Sequence, residues 1–280
     1  MRDGHHPEAT MTGWIAFDLV SVMLLLAAAV AYGTGLWHSR SRGRWPWHRT
    51  ASWYLGLVCA GAALVGPLAV ASRTGFTEHM AGHLLLGMVG PLLLVLAAPV
   101  TLALRTLPAT AARRLSRLLR SLPVRVVSHP VTAAALNAGG LWLLYTTDLY
   151  HLMHSSVWLH ALVHAHVFLS GVVFTAAIVS PDPNPHRASL RMRAVVMVAF
   201  IAAHSVLGKW LYAHPPAGVD AADARFGAQL MYYGGDVVDV ILLVLLFAGW
   251  YPMSRSSRTL LRANPSGIRS RTPSRQETPT

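Results

Sequence analysis

Seven long apolar runs decide what this chain can become. They cover roughly residues 14–37, 52–71, 81–104, 130–147, 159–180, 194–212 and 229–250. Each approaches the ~20 residues that a helix needs to cross a hydrocarbon layer about 30 Å thick. Charged residues make up only 12% of the chain and hydrophobic ones 54%. A soluble domain usually carries about twice that charge. The expected fold is therefore all-α, a polytopic transmembrane bundle of about seven helices. Its divisions are an extracytoplasmic segment at 1–13, a transmembrane domain at 14–250 and a disordered basic cytoplasmic tail at 251–280.

The formal charge of +12 suggests a nucleic-acid partner until the charges are placed. They sit in short connections between the apolar runs and in the tail, so no nucleic acid is expected and the lipid bilayer is. Segments 38–51, 105–129, 181–193 and the tail hold nineteen arginines. The alternate connections hold Arg2, Arg73 and Arg225, and Lys209 lies within the sixth run. This bias predicts an N-terminus outside and a C-terminus in the cytoplasm, which needs an odd number of spans. Segment 108–125, with Leu115, Leu118, Leu119 and Leu122, predicts a short basic amphipathic helix on the inner leaflet. The first run has a signal-peptide-like Ala29-Val-Ala31, but Asp3, Glu8 and Asp18 spoil the positive leader, so an uncleaved helix is expected. A single cysteine, Cys59, excludes an internal disulfide or a multi-thiolate metal site.

The histidines fall on one side of this topology. His79 and His83 open the third span, and His160, His164 and His166 open the fifth. His151 and His154 lie in the connection between the fourth and fifth. His204 is in the same half of the sixth, and Asp236 and Asp239 lie about two to three turns into the seventh. Residues four apart share a helix face, so His79/His83 and His160/His164 form two pairs able to converge on one ion. Imidazole suits copper, zinc, iron and nickel, and thioethers such as Met80 favour cuprous copper. The candidate ligands are His79, His83, His160 and His164, with His166, His204, Asp236, Asp239 and Met80 behind them. The two aspartates have three readings: orienting partners of the histidines, ligands, or ion-pair partners of Lys209. A lone histidine at a helix end is more often an interfacial residue, and a methionine more often packing. The paired set inside spans points to function. No HExxH, Gly-rich phosphate loop or GxSxG occurs.

The run Glu78-His-Met-Ala-Gly-His83, followed by three leucines and then by Ala98-Pro-Val-Thr-Leu102, resembles the CtaG-type cytochrome c oxidase assembly proteins. Leu149-Tyr150, Leu159-His160 to His164, Phe168-Leu169 and Gly171 resemble the next block of that family, and Asp182-Pro183, Asp223 and Gly234-Gly235-Asp236 are similarly placed. Members often carry a Trp-His pair and a proline where this chain has Leu144-Tyr145 and Thr147. Some carry glutamate at the position of Val163. The resemblance implies a non-enzymatic metallochaperone of a bacterial plasma membrane, acting in respiratory-chain biogenesis with a haem-copper oxidase subunit as partner and copper as cargo. Oligomeric state is open. Competing readings are a di-iron desaturase or hydroxylase, a b-type haem protein with His83 and His164 as axial ligands, a metal-free assembly scaffold and, last, a metal permease.

Overall fold

The computed structural model describes residues 6–249; the tail expected at 251–280 lies outside them. Among the described residues every regular element is helical. The helices are α1 (His6–Ser39), α2 (Trp47–Leu64), α3 (Pro67–Ala71), α4 (Phe76–Leu84), α5 (Gly90–Leu96), α6 (Pro99–Thr106), α7 (Ala109–Leu119), α8 (Leu122–Val127), α9 (Pro130–Thr146), α10 (Leu149–Ser155), α11 (Val157–Val179), α12 (Leu190–Ala213) and α13 (Ala221–Ala248). A π-helical turn, Leu85–Val89, joins α4 to α5.

Among the described residues six stretches are long and apolar enough to cross a membrane: Met11–Arg42, Trp47–Ala71, Phe76–Thr106, Val157–Val179, Leu190–Ala213 and Ala221–Ala248. The fourth expected run forms α9, whose 17 residues span roughly 26 Å at 1.5 Å per residue. It leaves the arginine-rich α7–α8 segment and ends where Tyr145 meets His79 of α4. Trp142 Nε1 ties it to the Ala203 carbonyl of α12 at 3.2 Å. The bundle thus has an arginine end and a histidine end. Leu24, Val195, Val198 and Val237 are exposed on the perimeter, as expected where the surrounding medium is itself apolar.

The stretch 76–106 is the most enclosed of the six and is not one helix. Ala98 adopts φ 52°, and Pro99 starts α6. A non-glycine residue in that region is strained, and a break inside so apolar a stretch frees backbone groups that need partners. Both sides of the break are served. The Tyr32 hydroxyl of α1 donates to the Ala97 carbonyl at 3.0 Å. The Asp182 carboxylate accepts from Val100 N, Thr101 N and Thr101 Oγ1 at 3.1, 2.7 and 2.6 Å.

Among the described residues the two larger of four apolar clusters fill most of the bundle. One, near the histidine end, contains Phe76, Met80, Leu144, Tyr145, Met153, Leu207 and Met231. The other contains Met88, Leu92, Phe174, Ile178, Met197 and Phe200. Close helix approach is made by glycine: a Cβ on Gly171 of α11 would sit 2.2 Å from the Gly87 carbonyl oxygen of the π turn.

Candidate metal centre

The histidine-bearing start of α4 is held by a residue far along the chain. The Asp223 carboxylate of α13 accepts from Phe76 N at 2.7 Å, Thr77 N at 3.0 Å and Thr77 Oγ1 at 2.5 Å. Orphan N–H groups at a helix start, with the positive end of the dipole, favour a carboxylate there. The arrangement repeats that of Asp182 at α6. It fixes the first turn of α4, and His79 follows one turn in. After His83 the backbone passes into the π turn, a feature frequent at functional sites.

His79 is buried and stands among five rings, one of them Phe76 at 6.3 Å. Its Nε2 lies 3.0 Å from the Tyr145 hydroxyl. Its ring centroid is 5.1 Å from Tyr150, 6.0 Å from His154 and 6.5 Å from His164. His160 and His164 stack at 3.9 Å. Trp14 and Phe17 of α1 cover His160 edge-on at 4.9 and 5.4 Å. Arg73 fastens that cover, with its guanidinium 4.0 Å above the Trp14 ring and 3.1 Å from Asp18. Burial pushes the Tyr150 phenol up from its ordinary value, so it remains a neutral hydroxyl.

A cavity of about 20 Å³ is lined by His79, His83, His164, Tyr145, Leu144 and Val163. Roughly 10–15 Å³ of such space admits one water molecule, so a single small occupant fits. The His164 tautomer leaves a donor atom for it. Nδ1 of His164 lies 2.9 Å from the His160 carbonyl oxygen. A carbonyl only accepts, so the His164 ring donates from Nδ1 and, when neutral, presents a lone pair at Nε2. Metal-binding histidines commonly have this backbone partner.

The predicted residues are only partly gathered. Among the described residues no three His, Cys, Asp or Glu side chains are grouped so as to hold an ion where they stand. His83 reaches the cavity but also faces His204, with rings 6.2 Å apart and nearly parallel. His166 points away, its Nε2 3.0 Å from the Leu136 carbonyl of α9. Met80 is buried and receives the Tyr145 hydroxyl at 3.8 Å. Asp236 accepts from Ser205 at 3.4 Å. Lys209 lies over the Tyr232 ring at 5.2 Å, and among the described residues the ion pair is Arg73–Asp18. His83 Nε2, both nitrogens of His204 and both oxygens of Asp239 are buried without hydrogen-bond partners. Tyr145, Tyr150 and His154 are neighbours that the histidine spacing does not reveal. The i to i+4 relation of Tyr150 to His154 was the available signal, and it is weak alone.

Residues 30–252 match the family described as cytochrome c oxidase caa3 assembly factor (CtaG). The chain belongs to that family. Among relatives of this CtaG-family chain, an uncharacterized protein of Mycobacterium leprae is 28% identical over 262 residues, covering 84% of this chain and 39% of the relative. Uncharacterized proteins of Mycobacterium bovis and Mycobacterium tuberculosis are each 33% identical over 208 residues, covering 71% of this chain and 31% of the relative. The CtaG-family chain thus spans about a third of the length of these curated relatives. No solved structure matches it.

Proposed function

We propose that this CtaG-family protein is a multi-pass protein of a bacterial plasma membrane that binds copper at its histidine end and assists its insertion into a haem-copper oxidase subunit. Seven spans, with α9 as the fourth and the histidine end outside, accompany this reading. The single observation that carries it is the cavity of about 20 Å³ shared by His79, His83 and His164. Two helices supply the imidazoles, and Met80 supplies a thioether beside them. Such soft and borderline donors suit cuprous copper.

The ion is cargo, so the residues must both hold it and let it go. His164 Nε2 is the ready donor. His79 Nε2 is engaged by Tyr145, so ligation there requires the phenol to be displaced. His83 lines the cavity and also faces His204. His160 stacks on His164 and fixes its ring, while Trp14 and Phe17 limit water. A set that assembles around the ion, one donor at a time, favours transfer by ligand exchange over storage. The role is non-catalytic.

The absence of a ready-made three-donor group among the described residues favours a second reading, a scaffold that stabilises an oxidase subunit without metal. Purified protein loaded separately with cuprous copper, cupric copper, zinc and iron separates the two. One cuprous ion per chain, lost in the His83→Ala/His164→Ala double variant, is expected. No retained ion, or equal retention in both proteins, selects the scaffold. Two irons per chain or a Soret band would instead select the di-iron or haem readings.

A further inference from the structure

Segment 105–129 holds six arginines and no acidic residue. Arg113, Arg114, Arg117 and Arg120 are exposed and, among the described residues, make no ion pair. With the hydroxyl-bearing Thr110 and Ser116 they border one open groove of about 490 Å³. Neither α7 nor α8 buries a residue, yet Leu118, Leu122 and Val126 are 60%, 69% and 51% exposed. An isolated helix of 11 residues is marginal in water, since helices below about 12–15 residues rarely hold alone. Something besides this chain's core must therefore cover the segment. Directly beside it lies an apolar cavity of about 360 Å³, lined by Leu119 and Val124 of this segment, Leu94 of α5 and Phe168, Val172 and Ala176 of α11. Leu119 links the two features, because it lines the cavity and lies between Arg117 and Arg120 in the chain.

We infer that α7 and α8 build a binding site for an anionic phospholipid at the arginine end of the bundle. Arg113, Arg117 and Arg120 are three or four residues apart and share a face. They take the phosphodiester by charge-assisted hydrogen bonds. The cavity takes an acyl chain. Charge decides the lipid class: an unpaired arginine cluster discriminates by net headgroup charge, while any phospholipid offers a chain. The site is independent of the histidines and of copper.

The test is retention of spin-labelled phosphatidylglycerol by the full chain in phosphatidylcholine bilayers, against spin-labelled phosphatidylcholine. Several-fold preference for phosphatidylglycerol is expected. It should fall in Arg113→Gln and in Arg117→Gln and disappear in the triple variant with Arg120→Gln, since each arginine near an anionic surface adds to the attraction. These side chains are exposed, so helix content should not change, and circular dichroism verifies that. Ala176→Phe fills the cavity and should lower retention with the arginines intact. Equal retention of both lipids, or retention unchanged in the triple variant, overturns the site. Unchanged retention in Ala176→Phe overturns the acyl-chain seat. Displacement of the lipid by inorganic phosphate, but not by chloride at equal ionic strength, would reassign the arginines to free phosphate.

Discussion

Tyr145 of α9 holds its hydroxyl 3.0 Å from Nε2 of His79 and 3.8 Å from the Met80 sulfur. One phenol thus partners two candidate copper donors on α4, donating its single proton to the sulfur when it accepts from the His79 Nε2–H. In Tyr145→Phe, His79 Nε2 loses its partner and the metal no longer displaces a hydroxyl. Cuprous affinity should rise about fivefold, the equivalent of roughly 1 kcal/mol for one hydrogen bond. The metal-free protein should lose stability by about 1–3 kcal/mol, the cost of an unsatisfied buried polar atom. A competition titration against a cuprous chelator, with thermal unfolding alongside, checks both. Unchanged affinity would mean that His79 does not ligate through Nε2.

Asp223 and Asp182 cap α4 and α6 with the same three-bond pattern but serve different ends of the bundle. Asp223→Ala and Asp182→Ala should each cost roughly 2–3 kcal/mol, since each removes hydrogen bonds to a charged acceptor at a helix start. Only Asp223→Ala should also reduce copper retention, because only α4 carries His79 and His83. Equal copper retention in the two variants would separate the cap from the site.

Six of the seven expected runs were legible as helices long and apolar enough to cross a membrane, because hydrocarbon thickness imposes a length that a sequence displays directly. The break at Ala98 was less so. Pro99 disfavours helix at the residue before it, but an alanine at positive φ has no sequence mark, and its support comes from Tyr32 and Asp182, distant in the chain. The start of α13 at Ala221 precedes the apolar run at 229 because Asp223 and Arg225 dilute its hydropathy. The histidine pairs were legible as helix faces. Which neighbour each face meets was not. His83 facing His204 and His166 turned to Leu136 follow from the rotation of α4 and α11 in the bundle, which is set by contacts such as Gly171 on Gly87.

Asp239 is 1% exposed with both carboxylate oxygens unpartnered. A buried unpaired carboxylate lowers stability by several kcal/mol, and such groups in membrane helices are retained where they act. Asp239→Leu should therefore raise the unfolding temperature in detergent while lowering oxidase activity in membranes of cells that depend on this protein. A lower unfolding temperature would show that the carboxylate has a stabilising partner, and unchanged oxidase activity would remove it from function.

Two glycines on facing helices should answer oppositely to alanine. A Cβ on Gly139 of α9 meets nothing within 4 Å, whereas one on Gly171 meets the Gly87 carbonyl oxygen at 2.2 Å and Pro91 Cγ at 3.0 Å. Gly139→Ala should stabilise the protein by up to about 1 kcal/mol, the difference in helix propensity. Gly171→Ala must push α11 off the π turn, because the obstructing atom is backbone and cannot rotate away. A loss of about 1–3 kcal/mol is expected for such overpacking. That displacement would also carry His164 away from His79, so copper retention should fall in Gly171→Ala and persist in Gly139→Ala. Thermal unfolding and metal counting on the same two variants decide it; a stable, copper-retaining Gly171→Ala would mean that the close contact of α11 with the π turn does not set the geometry of the histidines.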